Sequence, residues 1–515
     1  MKGIFSIKRA FTGSVLLGAL LVLAGCSLAP EYEVPSTPTT ATFKEAPQAS
    51  AQDEPGTWKA AQPSEDVARG EWWKVFQDPK LNDLEQQALD ANQNLKAATA
   101  RVKEARAMNQ AARAGLFPSL DAGFGPTRER VSASSLFEPD GTNVPQQTFW
   151  RAQASASYEV DLFGRVASTV DAATADTQRS AALYRSVLLA LQADVAQNYF
   201  ALRELDAEAE VFAQAVQLRE QALKLVKRRY AEGEITDLDV SRAQAELAST
   251  QSDAMTVQRL RATSEHSLAV LLGKAPAEFS MTADPLKPVD LRIPAGLPSS
   301  LLERRPDIAA AERSMAAANS RIGVAKAAFF PSLNLTGTGG FESATLGDLF
   351  KWSSRAFLLG PLAGTALNIP IFDGGRRKGN LANARAVYEE DVAAYRQQVL
   401  VAFREVEDNL SDVRILEAQT KTENEAVEAS QHAADLSRAQ YNEGAINYLD
   451  VIDAERTVLQ ARRAAIQLQG VQAASTVNLI RALGGGWGDV IPQPAQIAAA
   501  APGPETVAQT PVVQK

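Results

Sequence analysis

The stretch Leu449-Asp450-Val451-Ile452-Asp453 holds two carboxylates three residues apart, just past Gly444. On a helix that spacing puts both acids on one face, where a helix N-terminus favours negative charge. The stretch occurs twice: Leu238 and Asp239 stand at the corresponding places, with Arg242 where the second acid would be. Other residues able to do chemistry are few. Cys26 is the only cysteine, so no internal disulfide can form. His266 and His432 are the only histidines, and neither has a second ligand at metal spacing. No paired cysteines, HExxH, G-x-S-x-G elbow or phosphate-binding loop occurs, and the glycines at 337–340 fit a strand better than a phosphate cradle. The five methionines are scattered, which neither supports nor excludes a role with copper or silver. The inventory reads as a chain with no catalytic constellation, no metal and no cofactor.

These acids belong to a unit that is written twice. Tyr230, Gly233, Ile235, Leu238, Asp239 and Val240 return 211 residues later as Tyr441, Gly444, Ile446, Leu449, Asp450 and Val451. Upstream, LFPSL at 116–120 recurs as FFPSL at 329–333, now 213 apart, so a two-residue indel separates the copies. Two tandem copies of one structural unit follow.

The N-terminus carries an address. Lys2, Lys8 and Arg9 precede the apolar run 15–23, which is too short to span a bilayer and reads as an export signal. The run ends in Leu23-Ala24-Gly25-Cys26, which resembles the bacterial lipoprotein box, so a covalent lipid on Cys26 is expected. Ser27 is not the aspartate that, by resemblance, retains a lipoprotein at the inner membrane, and this points to the outer membrane. Loss of the signal takes the net charge from −9 to −12, and an acidic chain with no basic cluster is a poor nucleic-acid binder.

Long helices position the acids. Residues 165–232 and 380–443 contain no Gly or Pro over 68 and 64 residues. The first would span roughly 100 Å if continuous, and its apolar residues from Leu188 to Val216 recur at spacings of three and four, a coiled-coil seam. Gly233 and Gly444, each three residues after a tyrosine (Tyr230, Tyr441), stand where glycine C-caps are expected and form the tip turns. Residues 238–272 then return for about half the length, and 80–114, also 35 residues without Gly or Pro, are expected to supply the other half as one helix.

At the opposite end of each unit the period becomes two. Trp150, Ala152, Ala154, Ala156, Tyr158, Val160 and Leu162 alternate with Arg151, Gln153, Ser155, Ser157, Glu159 and Asp161, the pattern of a membrane-barrel strand. Leu120, Ala122 and Phe124 start its partner; Leu333 and Leu335, with Leu367, Ile369 and Ile371, repeat the pair. The uncharged stretch 356–372 contains Gly360, Pro361, Gly364 and Pro370 and reads as strand rather than transmembrane helix. Four strands cannot close a barrel, and open edges in lipid are energetically forbidden, so the chain must oligomerise around a shared barrel.

Taken together, the lipoprotein box, the FPSL motifs, GLPSSLLERRPDI at 296–308, the YxxG…LDVxDA tip at 441–454 and ALGGGW at 482–487 resemble the outer-membrane efflux proteins. These are the TolC-type channels, here closest to the lipidated OprM/NodT branch of multidrug exporters. The resemblance implies an α+β membrane protein: internally duplicated coiled-coil α-hairpins forming a periplasmic α-barrel, plus four β-strands per chain in a shared trimeric outer-membrane β-barrel. It implies a homotrimer held in outer-membrane lipid, a periplasmic adaptor (membrane fusion protein) and an inner-membrane pump of the resistance-nodulation-division type. An equatorial domain would draw on Trp72–Asp78, Pro276–Pro298 and the stretch after Gly484. Segments then read as signal 1–25, lipidated leader and equatorial segment 26–79, first repeat 80–273, equatorial linker 274–300, second repeat 301–485, and equatorial end with C-terminal tail 486–515.

The resemblance also gives the tip acids a role, since the family's periplasmic gate has pore-facing carboxylates here and an apolar ring at Leu449. Arg242 in place of the second acid makes the copies inequivalent and able to pair across the hairpins; the family's gate arginine two residues past the tip glycine is replaced by Ile446. Two other functions remain open: the duct of a type I protein secretion system, and a non-pore periplasmic coiled-coil adaptor or structural lipoprotein, against which the alternating strands argue. Cys26→Ser should abolish palmitate labelling and leave an unanchored precursor or periplasmic form; unchanged labelling would remove Cys26 from the argument.

Overall fold

Helices carry most of the chain, and their ends are set by a small number of residues. The computed structural model describes residues 28–37, 42–45, 71–287 apart from 131, 138 and 140, 304–359 and 367–485. The export signal, Cys26 and the C-terminal tail lie outside the described residues. In chain order the main elements are α1 (Pro79–Ala91), α2 (Gln93–Ala114), β1 (Ser119–Glu129), β2 (Gln147–Val160), α3 (Arg165–Ala231), α4 (Asp237–Leu271), α5 (Pro306–Ala327), β3 (Ser332–Ser343), β4 (Arg355–Leu359), β5 (Leu367–Asn368), α6 (Arg376–Asn442) and α7 (Tyr448–Ala482). The helices α3 and α6 are uninterrupted over 67 residues each. No helix among the described residues is long and apolar enough to cross a membrane.

Two compact units each draw on both repeats. One comprises Met1–Pro38, Ala97–Tyr184 and Asp307–Val399, the other Thr39–Lys96, Arg185–Pro306 and Leu400–Lys515. The first holds a single antiparallel sheet in the order β1-β2-β3-β4, with β5 also on β3. Its register brings the sequence alternation onto two faces: Leu120, Ala156, Gly337 and Leu359 lie in one row, Ala122, Ala154, Gly339 and Phe357 in the next. Leu120, Phe124 and Phe357 are exposed on this apolar face. On the other face Arg151 bridges Glu342 at 2.7 Å and Glu129 at 3.0 Å, tying three strands together. Strand β2 stops at Val160, so Leu162 falls outside it; of the described parts of 356–372, residues 356–359 and Leu367–Asn368 are strand, whereas 369–372 are not. Ile369 and Ile371 therefore lie beyond the strand.

The expected 35-residue helix over 80–114 is two helices, broken at Asn92. Asn92 leaves helical geometry (φ −59°, ψ 128°), and its Oδ1 accepts the Leu95 amide at 3.0 Å, capping α2. Its Nδ2 donates to the Leu271 carbonyl at 2.8 Å, so the last turn of α4 meets this break. Copy two repeats the joint with another donor: Arg305 Nη1 reaches the Ala482 carbonyl at 3.1 Å. Both joints need glycine, because a Cβ on Gly273 would meet Ala91 O at 2.6 Å and one on Gly484 would meet Arg304 O at 2.9 Å.

In the second unit the expected equatorial pieces pack on α3. Trp72 donates from Nε1 to Gln192 Oε1 at 3.0 Å beside a buried Trp73, and Phe76 packs against Phe200. Asp206, fully buried, accepts from Arg203, Arg261 and the Asp284 amide, which holds the chain after Pro276 in place. Within the leader, Phe43 is buried against Val406, Leu410 and Leu479.

Glu85 is a cost in this core. It lies on the buried face of α1 with Leu81, Leu84 and Ala88, and neither carboxylate oxygen has a hydrogen-bond partner. Burial pushes its pKa up to about 9 from 4.5. Between those values the folded chain holds a proton that the unfolded chain releases, so stability falls as pH rises through the window, by on the order of 3 kcal/mol at pH 7. Glu85→Gln should flatten the dependence of thermal unfolding on pH between 5 and 8; an unchanged slope would show that Glu85 does not titrate in this range.

Candidate gate at the helical tip

Four chain segments meet at the tip, and backbone geometry sets two of the turns. Gly233 and Gly444 both adopt φ 77°. The Glu234 amide returns to Arg229 O at 2.9 Å and the Gly233 amide to Tyr230 O at 3.0 Å, with the same pair at Ala445–Gln440 and Gly444–Tyr441. These are Schellman closures, and they need the left-handed residue that glycine supplies without strain. Beneath them Val226, Val240, Ala243, Tyr441, Tyr448, Val451 and Ile452 form one buried cluster, with Leu223, Ile235 and Ile446 packed against it. Ile446 is thus an apolar packing residue, equivalent to Ile235. The tip tyrosines differ: Tyr441 is buried under the Arg229 guanidinium at 4.9 Å, whereas Tyr230 is exposed. Burial, aided by Glu455, pushes the Tyr448 hydroxyl up to about 12.

The acids divide by role. Asp450 accepts the Asn447 amide at 3.2 Å, completing a capping box at the start of α7, and Asp239 accepts the Thr236 hydroxyl at 3.2 Å at the start of α4. Both therefore serve their helix N-termini. Asp453 has no such duty. Its side chain is 64% exposed, with the Arg456 guanidinium 3.7 Å away. Leu449 and Leu238 are exposed at 40% and 56%, large apolar side chains held on the surface next to these acids. Arg242 lies 3.8 Å from Asp239 on its own helix, and among the described residues it makes no ion pair across the hairpins.

The cross-hairpin pairing is made elsewhere, by residues the sequence did not single out. Glu246 on α4 is almost fully buried and takes Arg219 of α3 at 2.8 Å and Arg456 of α7 at 2.5 Å, one on each oxygen. A second clasp ties α6 to α7, where Arg438 lies 3.3 Å from Glu455. A signal was present in the repeat itself. At the 211-residue offset Arg219, Glu246 and Arg456 face Ser430, Thr457 and Ala245, so all three break the equivalence of the copies.

His266 and His432 stand exposed on α4 and α6, and among the described residues no three His, Cys, Asp or Glu side chains converge. The tip thus presents an exposed apolar pair, Leu449 and Leu238, and an exposed acid, Asp453, with Arg456 beside it, next to a buried clasp.

The profile of the outer membrane efflux proteins matches residues 84–274 and 297–485. Over 474 residues, covering 90% of this chain and 94% of each relative, the chain is 35% identical to the antibiotic efflux pump outer membrane protein ArpC of Pseudomonas putida and to the toluene efflux pump outer membrane protein TtgC of the same species. The solved structure of the outer-membrane channel OprN superposes with a TM-score of 0.80 at 28% identity, covering 90% of this chain and all of that one.

Glu246→Ala should destabilise the protein by about 3–5 kcal/mol, because it leaves the buried Arg219 without its counter-charge. Arg456→Ala removes a half-exposed partner while Arg219 still satisfies Glu246, and should cost about 1 kcal/mol or less. Equal losses in thermal unfolding would show that Arg219 is not the buried partner that matters.

Proposed function

The chain belongs to the outer membrane efflux proteins, and from that premise we propose that it is the outer-membrane duct of a tripartite pump, passing small solutes outward without chemistry of its own. The observation that carries this reading is the sheet: an apolar row and a polar row in strict register, with an unpaired edge on each side. In lipid each unpaired backbone group costs several kcal/mol, so such a sheet is complete only when copies join edge to edge. Three copies of four strands make a twelve-strand barrel, a size within the range of membrane barrels. A stable monomer in detergent by native mass measurement would contradict the shared barrel.

The chain works as a homotrimer, anchored in the outer membrane by its barrel and by lipid on Cys26. A periplasmic adaptor and an inner-membrane pump of the resistance-nodulation-division type deliver the cargo. Relatives equally similar to this chain are named for antibiotic and for toluene, which supports small organic solutes as cargo of a duct that recognises little. Leu449 and Asp453 line the closed periplasmic mouth, with Leu238 beside them, while Asp450, Asp239 and Arg242 hold the helix starts that carry them.

Single-channel recording in planar bilayers tests the gate. The resting trimer should conduct poorly and prefer cations. Leu449→Ala should widen the apolar constriction, and Asp453→Ala should remove one charge per protomer. Each should raise conductance several-fold and admit large antibiotics such as vancomycin, because a clustered like charge and a narrow wall both act on entry. Asp453→Ala should also weaken the cation preference, while His432→Ala changes none of these. Tip variants indistinguishable from the parent would place the constriction elsewhere.

A further inference from the structure

The apolar face of the sheet carries two charges, and both are arginines. In register, every second residue of β1 from Leu120, of β2 back from Val160, of β3 from Leu333 and of β4 back from Leu359 lies on this face. The charged residues among them are Arg128 on β1 and Arg355 on β4. Every carboxylate of these strands, Asp121, Glu129, Glu159 and Glu342, lies on the other face. Arg128 and Arg355 are both exposed, and among the described residues neither meets a carboxylate. Lys351, in the loop beside them, is already paired with Asp348.

Both arginines sit at the same end of the sheet. Helices α2, α3 and α5 join it near Ser119, Val160 and Ser332, while the loops 130–146 and 344–354 close the opposite end, where β1 finishes and β4 begins. From Val160 up to Trp150 the strand runs about 33 Å, which is about 25 Å of height at the usual barrel tilt and matches the full apolar band. Aromatic rings crowd that upper limit. Trp150 stacks on Phe124 with centroids 6.0 Å apart, and Phe341 meets Phe350 edge-on at 5.6 Å. The Arg355 guanidinium lies over the exposed Trp352 ring at 3.1 Å, and its Nε donates to the Trp352 carbonyl at 2.7 Å. Its two terminal nitrogens make no hydrogen bond among the described residues, so they remain for a ligand. The helix end of the same face, at Tyr158, Val160, Leu333 and Leu335, has no charge. An arginine facing lipid is costly at mid-bilayer and tolerated near the interface, where its fork can take a phosphate through two parallel hydrogen bonds.

We propose that Arg355 and Arg128 bind the phosphates of an outer-leaflet glycolipid, lipopolysaccharide, at the aromatic rim formed with Trp352 and Trp150. The outward leaflet of an outer membrane is built of this lipid, whose phosphates lie on a disaccharide just above its acyl chains. That charge at that level complements a face whose strands offer two arginines and no acid. The arginines stand on β1 and β4, the two edge strands, so when copies join edge to edge each seam is flanked by Arg355 of one copy and Arg128 of the next. The inference rests on the shared-barrel reading, which puts the helices in the periplasm and the loop end outside.

Full-length protein in phospholipid nanodiscs, titrated with fluorescent lipopolysaccharide, reads the site. The parent should bind saturably, and enzymatic removal of the lipid's phosphates should weaken binding about tenfold, the equivalent of one hydrogen bond to a charged group. Arg355→Gln and Arg128→Gln should each weaken it by a similar factor, and Arg355→Lys by less. The control is Arg404→Gln, in an exposed ion pair on α6, which should leave binding unchanged. If one glutamine variant does not assemble, the other decides. Glutamine variants that bind like the parent, or equal binding of the dephosphorylated lipid, would overturn phosphate recognition by these arginines. Phosphatidylglycerol that competes as well as lipopolysaccharide would overturn the glycolipid in favour of any lipid phosphate. Protein that does not insert into the bilayer would overturn the barrel and the site with it, whereas insertion without glycolipid binding overturns the site alone.

Discussion

Water is absent from the interior of a bilayer, so every backbone amide and carbonyl there must find its partner within protein. A sheet four strands wide, with β4 and β5 both paired to β3, satisfies this between strands and fails at its two edges. The fold can be read as a response to that failure. Duplication supplies two hairpins per chain, the register keeps one face apolar along its rows, and Arg151 ties β1, β2 and β3 together on the polar face. The remaining edges require further copies of the chain.

Duplication sets what the two halves share and where they part. They agree where backbone geometry leaves one solution: left-handed glycines at both tips, and glycines at both joints where another backbone carbonyl approaches within a side chain's radius. They differ where chemistry is local. Asn92 and Arg305 reach the same kind of carbonyl with different donors. The clasp of Arg219, Glu246 and Arg456 has no counterpart in the other copy.

At the tip, adjacent acids of one motif are given different work by their depth in the first turn. Asp450 at the third helical position folds back to its own cap, while Asp453, one turn on, has no backbone donor within reach and remains exposed. The helix-start role therefore falls on Asp450, and Asp453 is left exposed beside Arg456.

The sequence by itself determined the duplication, the long helices, the tip glycines and the alternating strands, because each is written in local spacing: 211 residues between copies, periods near 3.6 and 2, and glycine where φ must be positive. Membership of the family was legible for the same reason. What only the tertiary structure decided are the features made by residues distant in sequence. The break at Asn92 carries no Gly or Pro; Asn92 caps α2 through the Leu95 amide, and its own amide holds the Leu271 carbonyl from 179 residues away. The Glu246 clasp joins α3, α4 and α7, and an Arg or Glu on a long helix looks like solvated surface until its partners bury it. Nothing in the leader's local spacing names its partners: Tyr32 docks on Glu312 and Phe43 against Val406, buried residues of helices distant in sequence. Periodicity reports which face is buried, but pairing across the chain depends on which faces meet, and that is fixed only when the helices pack.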